Sequence, residues 1–406
     1  MKITEVRVTP VAFRDPPLLN AGGVHEPYAL RSIIEVHTDR DLVGLSETYG
    51  DAPILAGLKA VQPDLRGSSP FDLNALRTRV AARIPLAGKT RAKIFGAFEG
   101  AFLDAQARHL GIPLCELLGG ALRERVPYSA YLFFKYAEHI GAPYPRDAWG
   151  EVLDADSVVA EARKMIGAYG FGSIKLKAGA LAPELEARAL KALRDAFPRH
   201  PLRIDPNANW SLATAERMAR ELADTLEYLE DPTPSLEGMA ELHRRCGSPL
   251  ATNMVVTTFE EFRANAALDA VQIVLADHHY WGGLRATQQL AAMCATFGLG
   301  LSMHSNSHLG VSLMAMTHAA AAIPNLGFAC DTHYPWQTEE VVAGGRIAIV
   351  DGCVSIGGGP GLGVELDPDA LAALHDQYLA CGIRERDDAC QMRKYHPDFS
   401  KDRPRY

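Results

Sequence analysis

The sequence predicts an α/β chain built as a closed β/α barrel preceded by an α+β domain, and three observations carry that reading. Seven short apolar runs, SIKLKAG, LRIDPN, LEYLEDP, PLATNM, VQIVLAD, GLSMHSN and LGFACDTH, alternate with amphipathic stretches such as 183–197 and 213–222. Each run ends on a chemically useful residue: Lys177, Asp205, Glu230, Asn253, Asp277, His304 and Asp331, separated by 28, 25, 23, 24, 27 and 27 residues. A strand, loop, helix and loop together occupy about 25 residues, so this is the spacing of serial βα units. The residues before 120 have a different texture.

Taken in chain order, 2–12 and 31–47 read as strands, the second stretch broken by the polar turn His37-Thr38-Asp39-Arg40-Asp41. From about 53 to 118 the pattern is helical and stops at Gly119-Gly120. This gives an α+β domain over 1–123. VPYSAYLFF (126–134) supplies an eighth strand ahead of the seven runs, and the barrel occupies 124–339. Serial βα units with right-handed crossovers make a parallel sheet. An open doubly wound sheet would need a glycine-rich phosphate loop at its first turn, and the sequence has none. A barrel also explains why the polar residues fall at strand ends, since its active site lies at the C-terminal face. Residues 340–406, with IVDGCVSIGGGPGLGVEL and a final helix, are expected to return to the first domain.

Composition narrows the partners. The chain has 406 residues, 48% of them hydrophobic and 22% charged, with a net charge of −8. That offers no basic stripe for nucleic acid or an anionic membrane. The first residues, MKITEVRVTPVAF, lack the apolar core of a signal peptide, and no run is long enough to span a bilayer. Seven scattered cysteines without a CxxC pair suit a reducing cytoplasm. The expected partner is a small molecule, with further copies of the same chain as the one macromolecular partner left open.

The strand ends then define a chemistry. Lys175 and Lys177 lie two apart, with Ile174 and Leu176 on the other face, so both ammonium groups can point into the barrel. A lone KxK is ordinarily an outward, solvated pair. Placed inside, mutual repulsion and a nearby cation would depress a lysine pKa and let it accept a proton. Asp205, Glu230 and Asn253 come from three consecutive units and offer only oxygen, which suits Mg²⁺ rather than zinc. Taken alone, Asp205 before Pro206 could be a helix cap, and Asn253 could bind backbone. Asp277 and His304 end neighbouring strands, where a carboxylate can orient an imidazole, and Asn306 faces the same way as His304. A metal flanked by a lysine and a His–Asp pair suits removal of a proton next to a carboxylate.

KLKAG, DPNANW, YLEDP, PLATNM, LSMHSNSHLGVSLMAMTHAAAAIP and DTHYPWQ together resemble the D-glucarate dehydratases of the enolase superfamily, related to mandelate racemase and muconate lactonizing enzyme. The likeness runs from about residue 15 to 392. It implies a modified (β/α)7β TIM-like barrel with an α+β capping domain, and Mg²⁺ on Asp205, Glu230 and Asn253. Lys177 and His304, the latter paired with Asp277, fall on the family's bases, a Lys and a His being the bases such sites use. Lys175 and Asn207 would meet the substrate carboxylate, and Asp331 belongs to the same set. His25, Tyr131, Phe133 and Arg386 match substrate residues in LNAGGVHEPYALR, AYLFF and RERDD. From the residues alone, His25 sits in a glycine-containing loop that could close as a lid, and Tyr131 and Phe133 read as core packing. Arg386 reads as a surface ion pair whose fork would also suit a distal carboxylate.

The implied reaction is dehydration of an acid sugar, D-glucarate to 5-dehydro-4-deoxy-D-glucarate. Three departures touch the substrate rather than the machinery. IPLAGKTRAKIFG is short where the family has a longer loop, leaving Lys89 or Thr90 as its polar contacts. Glu26 stands where a small neutral residue is expected, and could repel a diacid. The segment after Trp336 diverges. The rival readings are a racemase or epimerase using the same two bases, a dehydratase of galactarate, idarate or an aldonate, and a non-catalytic sugar-acid-binding relative. Binding alone would need no base.

Overall fold

Strands Ile3–Arg14, Tyr28–Thr38 and Val43–Tyr49 form an antiparallel sheet in that order, described, with residues 1–86 and 88–406 as a whole, by a computed structural model. The turn joining the last two carries Asp41 at φ 54°, a left-handed conformation that aspartate tolerates better than most residues. Helices Ala52–Val61, Leu73–Arg83 and Lys89–Leu110 follow. The last is buried without a break from Ile94 to Ala107, as a helix must be when a sheet covers one side and a barrel the other. Gly44 permits the close approach, because a Cβ there would run into the carbonyl oxygen of Ala101.

Seven parallel strands then pair in sequence order: Ala130–Phe133, Ile174–Lys177, Leu202–Asp205, Tyr228–Glu230, Leu250–Thr252, Ile273–Ala276 and Gly300–Met303. Helices Ala155–Tyr169, Pro183–Ala196, Leu212–Glu221, Leu236–Cys246, Phe259–Leu268, Leu284–Phe297 and Gly310–Ala322 separate or follow them. Register brings Phe133, Lys177 and Asp205 into line at one rim. The result is the expected α/β architecture, a modified TIM-like barrel with an α+β cap.

Two predicted strands differ in detail. The 126–134 run divides, because Arg125–Pro127 pairs antiparallel with Cys353–Ser355 and only Ala130–Phe133 enters the barrel. LGFACDTH forms no continuous strand. It closes the barrel through isolated parallel bridges, Leu326 to Leu301 and Cys330 to Tyr128. Side chains explain the gap between them: Ser302 Oγ donates to the carbonyls of Phe328 and Ala329, and Arg203 donates to Ala329.

Beyond the barrel, helix Pro368–Cys381 lies along the first strand, held by His375 Nδ1 to the Pro10 carbonyl at 2.7 Å and by Gln377 to that of Ala12 at 2.8 Å. The chain ends elsewhere. Arg403 donates to the carbonyl of Asn207, and Arg405 and Tyr406 hydrogen-bond Asn209, over the loop after Asp205. Among the described residues no helix is long and apolar enough to cross a membrane.

Glu99 joins the cap to the barrel. From the buried helix Lys89–Leu110 it accepts the backbone N–H of Leu284 at 2.7 Å, at the start of helix Leu284–Phe297. Burial pushes its carboxyl from 4.5 up to about 7. Between those values the folded state holds a proton that the unfolded chain releases, so the Glu99 contribution to stability falls as pH rises. Glu99→Gln keeps an acceptor for Leu284 and is expected to flatten this decline. Thermal unfolding of both proteins from pH 4.5 to 7.5 tests it, and an equally steep decline in the variant would refute it.

Candidate active site

Both lysines point inward, Lys175 with no exposure and Lys177 with 8%. Lys175 Nζ lies 2.5 Å from Glu230 Oε2, 2.6 Å from Asp331 Oδ2 and 3.9 Å from Asp205 Oδ2. It also sits 4.6 Å from the centre of the Tyr131 ring. Lys177 Nζ is 2.6 Å from Asp205 Oδ2. Burial by itself would lower the Lys175 pKa, but Asp331 and Glu230 hold it well above the ordinary lysine value. The depressed lysine expected from mutual repulsion therefore does not arise at Lys175, because carboxylates stand closer to it than Lys177 does.

Asp205, Glu230 and Asn253 converge from consecutive strand ends and are all buried. Asp205 does not cap a helix: its Oδ1 accepts from the Asn207 N–H at 2.9 Å, and Ser211 caps the next helix. The Asn253 amide donates to Glu230 Oε1 at 2.8 Å, which leaves its own oxygen as acceptor. Asp231 fixes that residue, accepting from the Asn253 N–H at 2.8 Å and from Thr252 Oγ1 at 2.5 Å. Glu230 Oε2 is buried without a hydrogen-bond donor, since Lys175 approaches it outside hydrogen-bonding geometry. Burial and the neighbouring Asp205 push Glu230 well above the usual carboxylate range, and burial takes Asp231 up to about 7. An oxygen-lined cradle with surplus negative charge fits a hard divalent cation.

At two further strand ends, His304 Nδ1 meets Asp277 Oδ2 at 3.3 Å, and both residues are buried. Asp277 Oδ1 accepts from the backbone of His279 at 2.9 Å and faces its Nδ1 at 2.7 Å. Burial would raise Asp277, but His279 and His304 hold it well below the usual carboxylate range. Asp277, His278 and His279 also lie close enough to resemble a metal cluster. Asp277 Oδ1 is already engaged by His279 Nδ1, and Asp277 Oδ2 by His304, so the oxygen-only cradle is the better cation site.

The remaining predicted residues surround these two groups. Tyr131 and Phe133 face one side of the first barrel strand, ring centres 4.7 Å apart. His25 is buried, its Nδ1 3.0 Å from Asp15 and its ring 5.7 Å from Phe133. Asn207 takes φ 55° and donates to Met254 Sδ at 3.2 Å. Asn306 Nδ2 donates to the hydroxyls of Tyr49 at 2.6 Å and Tyr280 at 3.1 Å. A cavity of about 200 Å³ between cap and barrel is lined by Asn306, Tyr49, Tyr280, Lys93, Glu26 and Arg386, among others. A larger cleft of about 470 Å³ lies beyond Tyr280, among Arg77, Phe95, Phe259 and Trp281, and neither Lys177 nor His304 lines either cavity.

Three expectations about substrate contacts change here. The Arg386 fork is taken by Asp388, through two bonds of 2.7 Å. Glu26 accepts from the Asp387 N–H at 3.2 Å and from Gln391 at 2.7 Å, so it ties the cap to the C-terminal segment. Lys89 and Thr90 are exposed, whereas Lys93, one turn on, lines the cavity with its ammonium 3.8 Å from the centre of the Tyr49 ring. Ala87, in the same short loop, lies outside the described residues.

Comparison with known proteins agrees with this geometry. Residues 157–370 match the family model described as enolase C-terminal domain-like. The chain belongs to the enolase superfamily. Within it the chain groups with the glucarate dehydratases, and it is an enzyme of the acid-sugar dehydratase or isomerase type. It is 49% identical to a probable glucarate dehydratase of Streptomyces coelicolor, over 98% of this chain and 97% of that protein. An enolase of Pseudomonas fluorescens crystallised with magnesium, potassium and tartrate is 62% identical, with a TM-score of 0.98 over 100% of this chain and 99% of that one. An enolase of Thermobispora bispora in complex with magnesium and formate is 53% identical, with a TM-score of 0.97 and full coverage of both chains.

Against this superfamily frame, sequence reasoning passed over several residues of the site. His333 packs against Tyr131, Phe133 and His25, at ring distances of 4.8, 5.2 and 6.3 Å. Its Nδ1 is buried without a partner, and burial, with His25 and other basic side chains nearby, holds it well below the ordinary histidine value. It lies two residues past a strand-end aspartate, in DTHYPWQ, which was the available signal. Asp231 and His279 had a similar signal, adjacency to Glu230 and Asp277. Tyr49 had none.

Lys175 depends on its partners. Removing one acid from a buried pair leaves an uncompensated charge, at about 3–5 kcal/mol. Asp331→Asn is expected to lower unfolding free energy by about 3 kcal/mol, the smaller end because Glu230 remains. Urea unfolding of the metal-free protein measures it, and a loss below about 1 kcal/mol would contradict the ion-pair account.

Proposed function

We propose that this enzyme is a magnesium-dependent hydro-lyase that dehydrates an acid sugar, D-glucarate first, to 5-dehydro-4-deoxy-D-glucarate. A balance of charge carries the reading. Lys175 and Lys177 supply two ammonium groups, while Asp205, Glu230, Asp231 and Asp331 crowd four carboxyl groups around them in a dry barrel end. A divalent cation held by Asp205, Glu230 and Asn253 would offset the surplus and meet the undonated Glu230 oxygen. Magnesium in the two similar crystal structures supports this choice. When bound, the ion supplies fixed positive charge for the carboxylate whose neighbouring proton is removed.

The residues of the chain supply the rest. Lys175 offers a second positive charge to the same carboxylate. Lys177, beside Asp205, and His304, held by Asp277, are the proposed bases, acting on the substrate from opposite faces. Either can take a proton next to the carboxylate, and the other can protonate the departing hydroxyl. Tyr131, Phe133, His333 and His25 wall the site with rings that exclude water. His25, Asn207 and Asn306 are proposed to contact the substrate at its periphery, while Arg386, its fork held by Asp388, lines the cavity beside them. The seven cysteines are all unpaired, which supports a reducing, cytoplasmic setting. The same pair of bases also suits an epimerase, which would exchange the proton and keep the hydroxyl.

A panel of aldarates and aldonates, assayed for 2-keto acid with semicarbazide, separates these readings. The expected result is keto-acid formation from a diacid with Mg²⁺, lost on chelation, restored by Mg²⁺, and without change in far-ultraviolet circular dichroism. Glu230→Gln should require more Mg²⁺ for the same rate. Full activity after exhaustive chelation would contradict the metal role, and proton exchange without keto acid would favour the epimerase.

A further inference from the structure

Tyr49 ends the third strand of the capping sheet, yet its phenol reaches the barrel. The hydroxyl donates to Asp277 Oδ2 at 3.2 Å, the same oxygen that meets His304 Nδ1 at 3.3 Å. Asn306 Nδ2 donates to the phenol oxygen at 2.6 Å. An amide N–H can only donate and a carboxylate can only accept, so the single phenolic proton is directed at Asp277. The ring is held on several sides. Tyr280 stacks on it at 5.8 Å and 15°, His279 meets it edge-on at 5.4 Å, and Lys93 and Arg31 place cations 3.8 and 4.7 Å from its centre.

We infer that Tyr49 is a positioning residue for His304, fixing through Asp277 the direction in which the imidazole faces the substrate. The inference rests on the proposed role of His304 as a base. Asp277 Oδ1 is anchored by the N–H and Nδ1 of His279. Two donors on one oxygen leave the carboxylate free to turn about that oxygen. The phenol on Oδ2 removes this freedom and so sets the angle at which Oδ2 receives His304. Burial and the charge of Asp277 hold the phenol well above its ordinary pKa, so it stays a donor over the working range of pH.

An asymmetry between the two bases follows. Lys177 and its neighbour Asp205 both belong to the barrel strands. The dyad opposite takes support from the cap as well, through Tyr49 and through Arg31, whose Nη2 lies 3.1 Å from His279 Nε2. His304 is thus set only when the capping sheet is seated, whereas Lys177 is not subject to that condition.

Tyr49→Phe tests this, because it keeps the ring and removes only the hydroxyl. The first readout needs no turnover: the downfield proton resonance of His304 Nδ1–H, assigned by its loss in His304→Gln. It should shift or broaden in Tyr49→Phe. The second readout is solvent deuterium exchange at the substrate carbon beside the carboxylate. Exchange on the His304 face should fall about tenfold, the scale of one hydrogen bond to a charged group, with the Lys177 face within about twofold of wild type. An unmoved resonance, or equal losses on the two faces, would overturn the inference. Wild-type protein without exchange on either face would contradict the proposed function instead, and the resonance would still decide the role of Tyr49. If Tyr49→Phe does not fold, 3,5-difluorotyrosine at position 49 keeps the hydrogen bond with a stronger donor, and the same resonance should move the other way.

Discussion

The ammonium group of Lys175 lies at the end of the barrel with no access to water, and much of the site is arranged around that fact. A lone ammonium in such a place would give up its proton. Glu230 and Asp331, at 2.5 and 2.6 Å, prevent that, but they overshoot. Asp205 and Asp231 share the same closed space, and burial, with the repulsion of Asp205 added, pushes Glu230 and Asp231 towards their neutral forms. The barrel creates this tension by construction. Register aligns Lys177 with Asp205, and consecutive strands end at the same rim. A divalent cation would offset this surplus, and the charged cluster, rather than any one residue, defines the site.

The two sides of the site are built differently. On the lysine side much of the support lies within the barrel, in strand pairing and the Asp231 contacts to Thr252 and Asn253, with the C-terminal residues laid over Asn207 and Asn209. On the histidine side it is long-range. Arg31 and Glu47 form a buried pair in the cap at 2.7 Å, and Glu47 also accepts the N–H groups of Leu309 and Ser312 at the start of helix Gly310–Ala322. That helix begins six residues after His304. The cap is therefore more than a cover, since it holds the segment that carries one of the candidate bases.

This difference explains what the sequence could reveal. Lys177, Asp205, Glu230, Asn253, Asp277 and His304 were legible because one rule, a polar residue at the end of each periodic run, applies to all of them. Asp331 followed the same rule although its run is joined only by isolated bridges, with Ser302 and Arg203 taking the carbonyls that a strand would have paired. Tyr49 and Lys93 could not be found that way. They sit in the cap, more than 180 residues from Asp277, and no local pattern records which barrel residue a cap side chain will meet. Arg386 was legible as a residue but not as a contact, because Asp388, two positions on, competes for its fork. The role of Glu26 was hidden for the opposite reason: its partner Gln391 lies at the far end of the chain.

In the proposed mechanism Lys177 and His304 reach one substrate carbon from opposite faces. Deuterium incorporation from heavy water, followed by proton NMR for each of two epimers at that carbon, tests it most directly when done with His304→Asn and Lys177→Met. The account predicts that each variant loses exchange with one epimer and retains it with the other, and that Asp277→Asn resembles a milder His304→Asn. If both variants lose exchange equally with both epimers, the two-face arrangement is wrong and one of the two residues has a structural role only.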